Sequence, residues 1–207
     1  MKKSFNLTVL AEIAIFSALA FALDIFQSGL FRGVFTNGGS IGIAMLPVLI
    51  ISYRRGFVPG LICGIITSFL QMLGGVYAIA SVWYNMLLQI LFDYVLTYPL
   101  VAFAGLFAKS FQKATTNKAR LTYLCIGSVL GGLLKFLSHF LAGVLFWQNF
   151  DFVGGPAVYS LVYNGGYMLP NIIICTVILV VLCIKQPSIL IPDYKQPKVE
   201  EGGTAHE

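Results

Sequence analysis

Residues 133–164 read LLKFLSHFLAGVLFWQNFDFVGGPAVYSLVYN, and this stretch decides the fold. It opens as an apolar helix, breaks at a short polar, glycine-rich loop, and resumes as a second apolar run. Lys135 and His139 sit inside the first run four residues apart, hence on one helical face. Trp147 stands where that helix reaches the membrane surface, and Tyr159 and Asn164 open the next run. A cation, an imidazole, an indole, a phenol and an amide gathered on apolar helices describe a ligand site within a membrane.

Composition supports that setting. The 207 residues are 58% hydrophobic and 10% charged, with a mean hydropathy of +0.87. A soluble domain carries roughly 25% charged residues, so the pattern is that of a polytopic membrane protein. Cys63, Cys125, Cys175 and Cys183 lie far apart in apolar runs, without the paired spacing of a zinc site or a disulfide framework, and read as small core residues. The first apolar run is long and lacks a small-residue cleavage site, so it reads as a span rather than a removable signal.

Six apolar spans follow in order: about Leu7 to Phe26, Ile41 to Tyr53, Phe57 to Tyr77, Trp83 to Phe107, Leu121 to Trp147 and Val158 to Ile184. The fold class expected is an all-α integral membrane protein with six transmembrane helices. Residues 1–184 form one membrane domain and residues 185–207, proline-punctuated and ending EEGGTAHE, a disordered cytoplasmic tail. The second span is short for a helix that needs about twenty residues. Of the thirteen Lys and Arg, all but Arg32 and Lys135 fall on one side of this arrangement. The positive-inside rule then places both termini in the cytoplasm. The net charge of +5 is thus a topology signal, with no nucleic-acid patch.

Depth can be read from helix geometry. At about 1.5 Å per residue, His139 lies about 12 Å and Lys135 about 18 Å below Trp147, and Asp93 about 15 Å from the start of its span. Independent helices therefore bring polar groups to one level, in a pocket predicted to open outward. A Lys or Asp at such a depth costs on the order of 2.5–3.5 kcal/mol on insertion scales, so partners are expected. A Lys135–Asp93 ion pair that merely pins helices is the plain alternative. His139, Trp147, Tyr94, Tyr159 and Asn164 nearby exceed what one salt bridge needs.

Other motifs are weighed by context. Ala14, Ala18 and Ala22 form a stripe on span one, with Ala11 on a neighbouring line, fit either for packing within the bundle or for docking a separate membrane subunit. Glu12 and Asp24 fall near the ends of that span, placed for interfacial or partner contact. Gly60 with Gly64 and Gly127 with Gly131 are small-xxx-small pairs expected to serve internal packing. Residues 38–42, GGSIG, match the serine nucleophile elbow, but that chemistry needs a strand–turn–helix setting, whereas Ser40 opens a membrane helix. A Ser40/His139 hydrolase stays as an alternative reading. The chain contains no GxxxxGK[ST], so no ATPase of the P-loop type is encoded.

The series LLKFLSHFLAGVLFW followed by AVYSLVYNGGYMLP resembles the thiamine-specific S-components of energy-coupling factor (ECF) vitamin transporters. MLPVLIISYRRGFVPGLICG, LLQILFDYVLTYPLVAFAGLF and the alanine stripe fit the same family, over about Leu7 to Ile184. The resemblance implies a binding subunit of an ABC-type importer and no enzyme: thiamine is captured from outside, and ATP is used by partner subunits. Those partners would be a transmembrane coupling subunit and two cytoplasmic ATPases, in the cell membrane. It implies substrate contacts at Asp93, Tyr94, Lys135, His139, Gly143, Trp147, Tyr159 and Asn164, and partner docking at Ala14, Ala18 and Ala22. No cofactor and no metal site is implied. The family acid is often Glu, one methylene longer than Asp93. Some members carry a tryptophan where this chain has Gly38-Gly39 with Phe31 and Phe35 nearby, which leaves the outer wall to Tyr77, Trp83 or Tyr84. An S-component for another vitamin, and an autonomous carrier built on Asp93, Lys135 and His139, are the remaining alternatives.

Overall fold

A computed structural model of the chain describes residues 6–31 and 33–192. These residues form helices and turns only. Helix α1 (Leu7–Phe31) is followed by a loop to α2 (Leu46–Arg55), which carries Pro47 in its first turn and turns at Gly56 into α3 (Phe57–Leu73). Gly56 sits at φ +95°, a left-handed conformation that glycine takes without a Cβ penalty, and so the reversal is tight. After a loop over residues 74–82 come α4 (Trp83–Ile90), a π-helical turn (Leu91–Val95), α5 (Thr97–Val101), a 3-10 segment (Ala102–Phe107) and α6 (Ala108–Lys113). Thr116 caps α7 (Asn117–Leu145), its hydroxyl accepting from the Ala119 N–H at 3.2 Å. Helix α8 (Gly155–Lys185) closes the bundle.

Three helices, α1, α7 and α8, are long and apolar enough to cross a membrane. The broken pair Trp83–Val95 and Thr97–Lys113, bent by 42°, makes a fourth if taken as one span. The bend has identifiable causes, the π-helical turn and Pro99 within α5. Helix α3 has 17 residues and α2 has ten, or about 15 Å. Every residue from Leu46 to Tyr53 is buried, so α2 is enclosed by protein and needs no lipid-spanning length.

The core packs around α2. Tyr53, fully buried, donates to the Leu124 carbonyl at 2.6 Å and so ties α2 to α7. Both glycine pairs act internally, as expected. A Cβ at Gly64 would meet the Tyr98 carbonyl at 2.7 Å, and one at Gly131 would run into Val101 backbone, so α3 and α7 approach the α5 region closely. Ala11, Ala14, Ala18 and Ala22, by contrast, lie exposed on α1. Opposite them, Ile13, Ser17, Ala20, Asp24 and Gln27 form its buried face.

At the end of the bundle near Glu12, that carboxylate takes hydrogen bonds from Arg54 Nε at 3.0 Å and Arg55 Nη2 at 2.7 Å. Arg54 also donates to the Ser188 carbonyl at 2.5 Å. The tail expected from residue 185 is therefore folded at its start. Pro187–Ile189 form a 3-10 turn, and Leu190 and Ile191 are buried because their apolar side chains close the core beside α8. The tail beyond residue 192, together with Lys2, Lys3 and Arg32, lies outside the described residues.

Candidate ligand-binding site

A cavity of about 430 Å³ opens between α1, α7, α8, the π-helical turn and the two loops at 33–45 and 74–82. All eight residues expected to contact a substrate, Asp93, Tyr94, Lys135, His139, Gly143, Trp147, Tyr159 and Asn164, line it. Helix periodicity explains the α7 set, since Lys135, His139 and Gly143 recur every four residues on one face. Trp147 differs from expectation. Helix α7 ends at Leu145, and Trp147 follows in the connection to α8, where it is no longer bound to the helical face.

Asp93 organises the mouth of the cavity. Trp147 Nε1 donates to its Oδ2 at 2.9 Å, and His139 Nδ1 stands 3.6 Å from its Oδ1. The π-helical turn that carries Asp93 runs a Leu96 N–H to Leu91 carbonyl bond at 2.9 Å. Such widened turns reroute carbonyls and are frequent at functional sites. Here the Phe92 carbonyl accepts from Ser138 Oγ at 2.6 Å, which locks the turn onto α7 one residue from His139.

Lys135 does not pair with Asp93. Its ammonium sits 3.8 Å above the Tyr98 ring, a cation–π arrangement. The Tyr98 hydroxyl in turn donates to Asp24 Oδ1 at 2.7 Å. Glu12 pairs with Arg54 and Arg55, and the His139 ring faces the Asp93 carboxylate.

Helix α8 forms the opposite wall. Asn164 Nδ2 donates to Ser160 and to the His139 carbonyl at 3.3 Å, and its Oδ1 accepts from Tyr167 Oη at 2.6 Å. Gly143 lets the two helices meet here, because a Cβ would run into Ser160 Oγ and lie 3.0 Å from Asn164 Nδ2. Tyr159 accepts from Asn37 Nδ2 at 3.1 Å, so its own hydroxyl hydrogen stays available to a ligand.

Both loops are pinned. Asn171 donates to the Ser40 carbonyl at 2.9 Å and accepts from the Gly42 N–H at 2.6 Å. Gln27 holds Ser40 Oγ at 2.9 Å and the Ala44 N–H at 3.0 Å. Gly39, at φ +101°, faces the Tyr167 ring so closely that a Cβ would stand 2.6 Å from Cε1. In the second loop Tyr94 Oη accepts from the Tyr77 N–H at 2.9 Å and Gln89 Oε1 from Ile79 and Ala80. Tyr77 thus reaches the indole of Trp147, with ring centroids 5.5 Å apart and planes 34° apart. Of the three aromatics considered for this wall, Tyr77 lines the cavity. Trp83 and Tyr84 stay exposed and do not, because they begin α4 on its outer side.

Several lining residues escaped sequence reasoning. Tyr163, Tyr167 and Asn171 continue the four-residue register begun by Tyr159, a periodic signal that was available. Asp24 and Gln27, assigned to the end of a shorter span or not singled out, lie within α1 because it extends to Phe31. Ser40 Oγ accepts from Gln27 Nε2, and among the described residues no hydrogen bond joins Ser40 to His139, so the two form no nucleophile–base pair.

Residues 10–191 match the thiamine transporter protein family (Thia_YuaJ). The chain belongs to that family. It is 36% identical over 197 residues to thiamine transporter ThiT of Bacillus subtilis (strain 168), covering 93% of this chain and 99% of the relative. ThiT of Lacticaseibacillus paracasei is 30% identical over 202 residues, covering 92% and 94%. The solved structure of ThiT from Listeria monocytogenes superposes with a TM-score of 0.72 at 28% identity, covering 90% of this chain and 98% of that one. The resemblance carried by the series from Lys135 to Asn164 thus extends over nearly the whole chain. Membership, with the apolar helices, makes this a multi-pass protein of the cell membrane and a transporter component, not an enzyme.

Proposed function

We propose that this chain is a thiamine-binding S-component that captures the vitamin in the cavity around Trp147. The carrying observation is the assembly of an indole fixed by Asp93 with hydrogen-bonding groups on two other helices in one cavity of about 430 Å³, within the roughly 300–1,000 Å³ usual for small-ligand sites. Thiamine joins a cationic thiazolium to a flat aminopyrimidine. Trp147 offers a π face for stacking or cation–π attraction, and Asp93 offers negative charge. Tyr159 and Lys135 are placed to satisfy ring nitrogens or the hydroxyethyl arm. Asn164 keeps one lone pair on Oδ1 for a ligand N–H, and His139 adds an edge or a hydrogen bond.

The topology of this reading has six spans and cytoplasmic termini. Helix α2, sheathed by its neighbours, serves as the short second span, and the basic residues fall together at the ends of that arrangement. The cavity then opens to the outside. Its exposed alanines, Ala14, Ala18 and Ala22, present a smooth helix face to an ECF coupling subunit whose two ATPases drive delivery.

Fluorescence tests the capture step directly, since the chain has two tryptophans and Trp83 lies exposed outside the cavity. In a Trp83→Phe protein, washed free of copurified vitamin, thiamine is expected to quench Trp147 saturably. A flat titration of well-folded protein would rule thiamine out. In liposomes the chain alone should bind without sustained uptake; accumulation without ATP would favour an autonomous carrier.

A further inference from the structure

The cavity contains a second carboxylate that the family resemblance does not place there. Asp24, 8% exposed, lines the same cavity as Asp93 and Lys135. Its Oδ1 accepts from Tyr98, whose ring face carries the Lys135 ammonium. The cavity is therefore walled by two carboxylates and one ammonium, with His139 the remaining titratable base. The two carboxylates outnumber that fixed ammonium by one. Gln71 on α3 also lines the cavity, and its buried Oε1 has no hydrogen-bond partner among the described residues.

An excess charge in a low-dielectric enclosure is costly until something of opposite sign enters. A monocation cancels it, and a neutral ligand of the same shape leaves it uncompensated. The Lys135 ammonium does not remove the excess, because it balances only one of the two acids.

We propose that Asp24 is a specificity-determining residue whose carboxylate tunes the cavity to a singly charged cation over a neutral isostere. This rests on the thiamine reading above and explains how the ligand's charge is matched despite Lys135. Asn at position 24 would keep an oxygen to accept from Tyr98, so Asp24→Asn removes charge while retaining that hydrogen bond.

The test compares thiamine with an isostere whose thiazolium is replaced by an uncharged thiophene, titrated against the full chain in detergent. The wild type is expected to prefer the cation by more than about tenfold, equivalent to about 1.4 kcal/mol. Asp24→Asn should collapse that ratio chiefly by weakening thiamine, and Asp24→Glu should restore it. Equal wild-type affinities for the two ligands would overturn the proposal without any variant. An equal loss for both ligands in Asp24→Asn would overturn it too, assigning Asp24 a purely structural part. Failure of the wild type to bind either ligand would instead refute thiamine capture, and the inference with it.

Discussion

Asn171 is the clearest place to break the site without touching its mouth. It sits 7% exposed on α8 and grips the first loop with both ends of its amide, at Ser40 and at Gly42. Asn171→Leu keeps the volume and removes both bonds. Two net hydrogen bonds of about 1 kcal/mol each, together with the penalty for leaving a backbone N–H and C=O bare, put the loss at about 2–4 kcal/mol. For a chain of this size each kcal/mol shifts Tm by about 2–4 °C, so the expected drop is roughly 5–15 °C in a thermal shift assay in detergent. Because Asn37, Gly38 and Gly39 of that loop line the cavity, thiamine affinity should fall as well. Asn171→Asp retains the acceptor for Gly42 and loses only the donor to Ser40, so it should fall between. A Tm within about 1 °C of wild type for Asn171→Leu would show that the loop is held by other contacts and refute the reasoning.

Gly143→Ala should weaken thiamine binding and destabilise by about 1–3 kcal/mol, since the added methyl must displace Ser160 or Asn164; an unchanged titration would show that α7 and α8 can part there freely. Ser138→Ala strips the Phe92 carbonyl of its partner and should lower stability by about 1 kcal/mol, with a weaker ligand response because Asp93 rides on the same turn. An unchanged Tm in that variant would mean the turn needs no support from α7. Glu12→Gln removes the carboxylate charge that accepts from Arg54 and Arg55, groups with only 11–17% of their side chains exposed, so solvent screens the loss little and stability should fall by about 1–3 kcal/mol. Thiamine affinity should stay at the wild-type level, as Glu12 lies outside the cavity; a matching loss of affinity would contradict that separation.

Much of the cavity was legible because helix periodicity and the expense of burying charge are local facts. Lys135, His139 and Gly143 share a face by arithmetic, and a lysine within an apolar run demands company. What escaped were features set by tertiary context. The path of Lys135 to the Tyr98 ring, rather than to Asp93, depends on where α5 lies. In a span ending at Phe26 Asp24 is interfacial, but α1 runs five residues further, to Phe31, and Asp24 lies inside it. The segment at Leu190 and Ile191 carries the proline punctuation of a tail, yet two apolar residues and the Arg54 guanidinium hold it. Short α2 is a puzzle in sequence; its residues from Leu46 to Tyr53 are enclosed by protein, and the length rule applies to helices facing lipid.

The π-helical turn at Leu91–Val95 has a consequence for helical phase. Each residue of an α-helix advances the chain by about 100°, so one extra residue accommodated within a single turn offsets the two flanks by that angle. Trp83–Ile90 and Thr97–Val101 therefore follow different registers. Excising one residue between Leu91 and Val95 would restore a plain α-helical turn and leave both flanks in place, so Gln89 would keep its bonds to the loop at Ile79 and Ala80 while the turn that carries Asp93 changes shape. A relative whose helix runs straight through this point needs one residue fewer to keep both flanks in place. Here a gap in an alignment would mark a change of geometry around the acid, not a loss of length.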